Sequence, residues 1–346
     1  MKTIGVLTGG GDCPGLNAVI RAVVRSGIKY DFTTLGIRNG WLGLIDGDVE
    51  PLTDLSVSGI LPRGGTILGT SRMNPLAKPM DLQKIRQNIK KYNIHALIVI
   101  GGDGTLSAAR DVAKLGIPLV GIPKTIDNDI SGTDVTFGYN TAVETVTEAI
   151  DRLHTTAESH HRIIVVEVMG RNVGWIAVTA GIAGGADEIL IPEVPFTMEG
   201  VCEKLRARYE VGKKFSIVVV AEGVTREDIG IPPVPDHIRD ECGHEKFVGV
   251  GNILGKELER RLGIETRVTI LGHVQRGGSP TAYDRVLATR FGVAAVQLVH
   301  AGDYGKMVAL RGNIITSIAL ESAVNRLNTV DPDTYALAMT VIGGKK

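Results

Sequence analysis

The segment HALIVIGGDGTLSAARDVAKLGIPLVGIPKTIDND, residues 95–129, decides how the rest of the chain is read. Ala96–Ile100 is a short unbroken apolar run, the mark of a strand buried on both faces of a parallel sheet. Gly101-Gly102-Asp103-Gly104-Thr105 follows at once. Helical spacing then covers Leu106–Leu115, with Leu106, Ala109 and Ala113 on one side and Ala108, Val112 and Leu115 on another. Gly116 and Pro118 stop it, and Leu119–Ile122 is a second strand. The segment is a βαβ unit, and its crossover is expected to be right-handed.

Both loops of the unit, 101–105 and 123–129, leave from the carboxyl ends of their strands, where open α/β sheets bind ligands. Glycines let the backbone approach a phosphate closely, and N–H groups at a helix start face an anion. Asp103 has the chemistry to hold a magnesium ion, directly or through water, beside that anion. Asp127 and Asp129 stand two apart, and an extended backbone would point them to the same side. A phosphate cradle, a metal-binding acid and a base on adjacent loops are the inventory for phosphoryl transfer. Gly-Gly-Asp-Gly alone also fits any tight strand–helix turn, and paired loop acids are usually just solvated. Their combination inside one βαβ unit is what makes the reading specific.

At 346 residues the chain is long enough for two ordinary domains, and 43% apolar residues support full cores. Net charge is zero and aromatics are 4%, which disfavours nucleic acid as the main ligand. The 44 glycines cluster at strand ends, as ligand loops do. Cys13, Cys202 and Cys242 have no metal spacing, which fits a reduced, cytoplasmic setting. The first strand begins within three residues, so no signal peptide is expected, and no apolar run reaches 18 residues, so no membrane span is.

Ile4–Leu7 reads as the first strand, followed by Thr8-Gly9-Gly10-Gly11-Asp12-Cys13-Pro14-Gly15 and a helix to about residue 28. This second glycine loop matches neither the dinucleotide nor the Walker pattern, yet it is an anion site by the same backbone logic. Cys13 within it is either a reactive thiol or a small packed residue. Leu35–Ile37 is a strand, 39–41 a turn, and 48–60 irregular. Residues 63–72 form a third glycine-rich stretch, whose Arg72 suits a phosphate or an adenine face. Helices are expected over 81–92, 141–160, 176–183, 198–209, 245–262 and 283–301, and strands over 163–168, 189–191, 217–221 and 267–271. Residues 225–240, with three prolines, read as a surface loop, and the last 40 as a short strand, a short helix and an end piece. The alternation predicts an α/β fold of two doubly wound, Rossmann-like parallel-sheet domains facing across a cleft. Arg162, Arg171, Arg267, His273 and Arg276 all fall at strand ends, which suggests a phosphorylated substrate or, more plainly, ion pairs with neighbours such as Glu167 and Glu222.

These letters resemble the 6-phosphofructokinases almost end to end. The match includes GVLTGGGDCPGLN (5–17), RGGTILGTSR (63–72), GGDGT (101–105), PKTIDND (123–129), VEVMGR (166–171), AEG (221–223) and GHVQRGGSP (272–280). The resemblance implies the phosphofructokinase fold and glycolytic transfer of the γ-phosphoryl of ATP to the 1-hydroxyl of fructose 6-phosphate, with Mg2+ on Asp103. It implies a donor domain of 1–140 plus 276–325 and a fructose 6-phosphate domain of 141–275 plus 326–346. Asp127 would be the base, with Thr125 and Asp129 flanking the moving group and Arg171 offsetting its charge. Gly11, Arg72, Met73, Gly102, Asp103, Gly104 and Thr105 would bind the donor. The sugar phosphate would meet Thr125, Asp127, Met169, Gly170, Arg171, Glu222, His273 and Arg276. Arg162 and Arg267 would reach it from a neighbouring subunit, typically of a homotetramer.

Two positions depart from the common patterns. ATP users usually carry glycine at Gly104, whereas pyrophosphate users usually carry aspartate there and lysine at Lys124, so this chain resembles the mixed-substrate group. Gly104 leaves space for an α-phosphate, and Lys124 suits either donor. A pyrophosphate-dependent, reversible phosphotransferase is therefore the alternative. The effector site of regulated members is matched by Arg21, Arg25 and Lys213 but not by Asp54 and His154, which stand where arginines are expected. NAD kinases and diacylglycerol kinases share GGDGT but predict neither PKTIDND nor GHVQRGG. A non-catalytic nucleotide-binding subunit would be expected to have lost Asp127 or Arg171, and both remain.

Overall fold

A computed structural model of the chain describes residues 2–226, 229–231, 249–324 and 326–342. The chain divides into two compact units, one of residues 1–141 and 276–328 and the other of residues 142–275 and 329–346. In chain order the elements begin with β1 (Lys2–Thr8), α1 (Leu16–Lys29), β2 (Phe32–Ile37), α2 (Trp41–Asp46) and β3 (Val49–Leu52). Next come α3 (Pro79–Lys91), β4 (Ile94–Gly101), α4 (Asp103–Lys114), β5 (Leu119–Thr125), β6 (Phe137–Gly138) and α5 (Tyr139–His160). The second unit contributes β7 (Ile163–Val168), α6 (Trp175–Ala183), β8 (Glu188–Leu190), α7 (Met198–Glu210), β9 (Ser216–Ala221), α8 (Val250–Leu262) and β10 (Thr266–Ile270). The chain then adds α9 (Ala282–Ala301), β11 (Lys306–Arg311), β12 (Ile314–Ala319) and α10 (Leu320–Ala323) to the first unit, and α11 (Pro332–Ile342) to the second.

The first unit's sheet runs β12-β11-β5-β4-β1-β2-β3. Its inner strands are parallel, and antiparallel β3 and β12 close the two edges. The apolar runs of β1, β4 and β5 are buried throughout their centres, as strands covered on both faces must be. From β1 the chain goes outward one way to β2, and from β4 the other way to β5, so strand order reverses between β1 and β4. That is the switch point at which a doubly wound sheet opens a ligand crevice. The second unit is a four-stranded parallel sheet, β10-β7-β9-β8. No helix among the described residues is long and apolar enough to cross a membrane.

Several local expectations change. Residues 48–60 are not wholly irregular: they contain β3, an edge strand whose Pro51 needs no donor on its open side. The turn at 39–41 leads straight into α2, whose six residues are too few to show a helical period. The C-terminal region holds a hairpin and two helices, not one strand and one helix. Gly312, at φ +56°, and Asn313 make the two-residue turn between β11 and β12, a signal present in the letters. Residues 245–248, the expected start of α8, lie outside the described residues, as do Cys242 and most of the proline-rich 225–240 stretch.

Candidate active site

Because β1, β4 and β5 are neighbours, the loops at 9–15, 101–105 and 126–129 emerge side by side at one edge of the first unit. The first two touch. Gly9 donates its N–H to Ile100 O at 2.9 Å, and a Cβ on Gly9 would lie 2.7 Å from the Thr105 hydroxyl oxygen. Only glycine lets the loops approach so closely. α1 and α4 start at Gly15 and Gly102, and no side chain caps either, so both helix starts present backbone N–H groups of the kind that bind anions. The third glycine-rich stretch is fastened to the first: Gly10 N donates to Ser71 O at 2.9 Å, and Thr70 Oγ1 donates to Gly10 O at 2.6 Å. That places half-buried Arg72 next to the loop, while Met73 packs against the core around Trp41 and Leu44. Asp103 and Gly104 are exposed in the first turn of α4, and a Cβ on Gly104 would meet no atom within 4 Å.

The exit from β5 is rigid. Thr125, Asp127 and Asn128 are buried. Asp127 N donates to Thr125 Oγ1 at 3.0 Å. Asn128 has φ +55°, so the backbone is not extended here, and the expectation that period-two spacing aims Asp127 and Asp129 alike does not hold. Asparagine tolerates this conformation and uses its side chain to keep it. Asn128 Oδ1 accepts from Thr136 N at 3.0 Å, and Asn328 donates from Nδ2 to Asn128 O at 2.8 Å and from N to Asp129 O at 2.9 Å. The loop carrying Asp127 is thus held by residues eight and two hundred positions away.

Lys124 is buried, donates from Nζ to Gly11 O, and has its ammonium pKa lowered by burial. Its amino group lies beneath the glycine loop and holds the Gly11 carbonyl in place. Arg276 is on the same side: a Cβ on Gly11 would lie 2.9 Å from Arg276 Nη1. It therefore sits by the loop expected to hold the donor, although the resemblance assigns it to the sugar phosphate. Cys13 is the packed residue of the two possibilities. It is buried, its thiol faces Phe137 O, and burial pushes its pKa far up. Cys202 is buried too, with its pKa raised by desolvation. Neither is expected to react with a thiol reagent in the folded protein, and rapid labelling mapped to Cys13 would contradict this.

Among the described residues no group of three or more histidine, cysteine, aspartate or glutamate side chains forms a metal cage. An exposed Asp103 carboxylate at the uncapped start of α4 instead fits Mg2+, which keeps several waters and is held by one or two carboxylates plus phosphate oxygens.

In the second unit, Met169, Gly170 and Arg171 leave the carboxyl end of β7, Glu222 that of β9, and His273 follows β10 in the 3-10 turn Gly272–Arg276. These are neighbouring strands, so the residues come together at one edge. Arg171 is a non-glycine residue at φ +52°. Glu222 Oε1 accepts from Arg171 N at 3.1 Å and from Gly170 N at 3.4 Å. Arg162 and Arg267 are elsewhere. They lie at the amino ends of β7 and β10, and both pair with Glu265, Arg162 Nε at 2.6 Å. The six residues of β7, at about 3.3 Å each, put roughly 20 Å between them and Arg171. Their ion-pair partner is Glu265, not the expected Glu167 or Glu222; Glu167 instead accepts from Gly251 N at 2.7 Å. Glu265, Asn128, Asn328 and Gln275 were not singled out by the sequence reading. Asn128 and Gln275 stand inside its specific motifs, but only the folded backbone reveals what they bond.

At the expected effector positions, Arg25 Nε pairs with Asp54 Oδ1 at 2.7 Å, and His154 Nε2 lies 2.7 Å from Gly184 O. Asp54 thus offsets one of the cations that the resemblance would leave for an anionic effector.

Residues 3–299 match the model of the family described as Phosphofructokinase. The chain is 56% identical to the pyrophosphate–fructose 6-phosphate 1-phosphotransferase of Streptomyces coelicolor, over 96% of this chain and 97% of that one. It is 52% identical to ATP-dependent 6-phosphofructokinase 3 of the same organism, over 98% and 99%. Among solved structures, phosphofructokinase from Saccharomyces cerevisiae superposes with a TM-score of 0.82 at 34% identity, over 99% of this chain. This chain spans about half of that yeast chain, 47%.

Proposed function

The chain belongs to the phosphofructokinase family, and on that premise we propose that it transfers the γ-phosphoryl group of ATP to the 1-hydroxyl of fructose 6-phosphate. The observation that carries the reading is the set of three loops at the switch point, with buried Asp127 on one and open Gly104 on another. Backbone N–H groups at Gly11 and Gly102–Thr105, with Arg72, hold the donor phosphates. Mg2+ on Asp103 supplies charge neutralisation for the donor when bound. Asp127 takes the proton from the 1-hydroxyl, held in place by the Asn128 and Asn328 bonds, with Thr125 and Asp129 beside the moving group. Phosphoryl transfer asks mainly for positioning and charge neutralisation, so an ordinary carboxylate suffices as base. Met169, Gly170, Arg171, Glu222 and His273 hold the sugar phosphate, and Arg276 neutralises charge next to the cradle.

ATP is preferred as donor because the space at Gly104 is open for the α-phosphate and what lies beyond it. The pyrophosphate reading draws on Lys124, buried with its Nζ on Gly11 O, although a lysine there is compatible with either donor. Initial rates with ATP–Mg2+ and with pyrophosphate–Mg2+, each at saturating fructose 6-phosphate, test the proposal. A clear preference for pyrophosphate would overturn it.

Arg162 and Arg267 stand at the wrong end of their own sheet for Arg171, which supports their service to a second copy in a homotetramer. Arg162→Ala and Arg267→Ala are each expected to raise the KM for fructose 6-phosphate by about tenfold or more, as loss of a charged substrate contact does. A variant lacking only the base Asp127, mixed with one lacking only Arg162 and Arg267, should regain part of its activity through sites assembled from two copies. A fully active monomer would contradict the arrangement.

A further inference from the structure

We propose that Gln275 is a positioning residue for the sugar-phosphate site: its side-chain amide stands in for a missing stretch of backbone pairing and locks the Met169–Arg171 loop to the turn that carries His273. The proposal rests on the reading that these residues hold fructose 6-phosphate.

β10 pairs with β7 in parallel, Ile270 opposite Glu167, and Leu271 N donates to Glu167 O at 3.2 Å. A continued ladder would next take the Met169 N–H to a backbone carbonyl of the neighbouring strand. That strand ends first, because the chain turns away at Gly272, φ +50°. Gln275 Oε1 accepts from Met169 N at 3.2 Å in its place. The other end of the same amide, Nε2, donates to Gly272 O at 3.0 Å. Gln275 is 0% exposed, so water cannot substitute for either bond.

On the opposite side, Glu222 Oε1 accepts the next two backbone donors, Gly170 N and Arg171 N. Three consecutive N–H groups are therefore each fixed by a side-chain oxygen. The loop needs them, since Gly170 at φ +149° and Arg171 at φ +52° occupy conformations that an unsupported chain visits rarely. Neither common isostere serves both ends. Leucine offers no polar atom, and an ionised glutamate would set negative charge against Gly272 O.

The full-length parent, Gln275→Leu and Gln275→Glu are to be compared in kcat and in KM for fructose 6-phosphate from acid to neutral pH, with thermal melting as a check on folding. Gln275→Leu should raise this KM by about tenfold, more than it lowers kcat and more than it moves the donor KM. Gln275→Glu distinguishes positioning from a packing role. Its protonated carboxyl can donate to Gly272 O and accept from Met169 N, so its KM, divided by that of the parent at each pH, should fall as pH falls and rise as the carboxyl ionises. Taking the ratio removes the titration of the substrate phosphate. A folded Gln275→Leu with the parent's KM, or a Gln275→Glu ratio that is flat with pH, overturns the proposal; if Gln275→Leu does not fold, the glutamate ratio decides. A parent that does not phosphorylate fructose 6-phosphate overturns the underlying reading as well, whereas a parent that does, with both variants matching it, overturns this inference alone.

Discussion

Asp127→Ser is expected to lower kcat by about 10³-fold or more, while the KM for fructose 6-phosphate changes by less than about threefold. Asp127 is buried in a loop whose backbone is held by Thr125, Asn128, Thr136 and Asn328. The substitution removes the carboxylate and leaves those bonds in place, so the loop keeps its shape. A positioned base is worth about 10²–10⁴ in rate, and its negative charge near the reacting hydroxyl is lost with it. On the proposed reading the sugar phosphate is held mainly by residues of the second unit, so the effect on KM should be small. Turnover near that of the parent would remove Asp127 from its role.

Gly104→Asp is expected to cut kcat/KM for ATP while the protein folds at least as well as before. A Cβ at residue 104 meets nothing within 4 Å, and the residue lies in the first turn of α4, so the side chain enters without strain. Glycine within a helix costs about 0.5–1 kcal/mol relative to alanine and aspartate only a little less, whereas a carboxylate near a helix N-terminus adds about 0.3–1 kcal/mol of stabilisation. The melting temperature should hold or rise. The donor meets the opposite effect. Two like charges about 4 Å apart near a protein surface repel by roughly 4 kcal/mol, and half of that already lowers kcat/KM about thirtyfold. Pyrophosphate ends before this point, and its use should suffer less. Measuring kcat/KM for both donors in parent and variant is the check. Retained ATP activity would mean that the open space at Gly104 is not where the α-phosphate goes, and that Lys124 deserves the greater weight.

The sequence by itself determined the parallel α/β organisation, most helices and strands, and the motifs that make up the candidate site. These are local properties. A strand covered on both faces must be apolar throughout, a helix must repeat its apolar face, and a phosphate loop must be poor in side chains, so each can be read within about ten to twenty residues. β3, α2 and β12 escaped because edge strands and short helices bury too little to leave a period.

Only the tertiary structure decided how the site residues are held and which of them share an edge. Asp127 and Asp129 look like an extended pair until Asn128 turns left-handed, a conformation maintained by Thr136 and by Asn328 far along the chain. Arg276 reaches Gly11 across 265 positions, Arg162 and Arg267 gather on Glu265 at the far end of their strands, and Gln275 bonds Met169. A hydrogen bond or ion pair needs its partner within about 3–4 Å in space, and the order of residues along the chain puts no limit on which partner the sheet brings there.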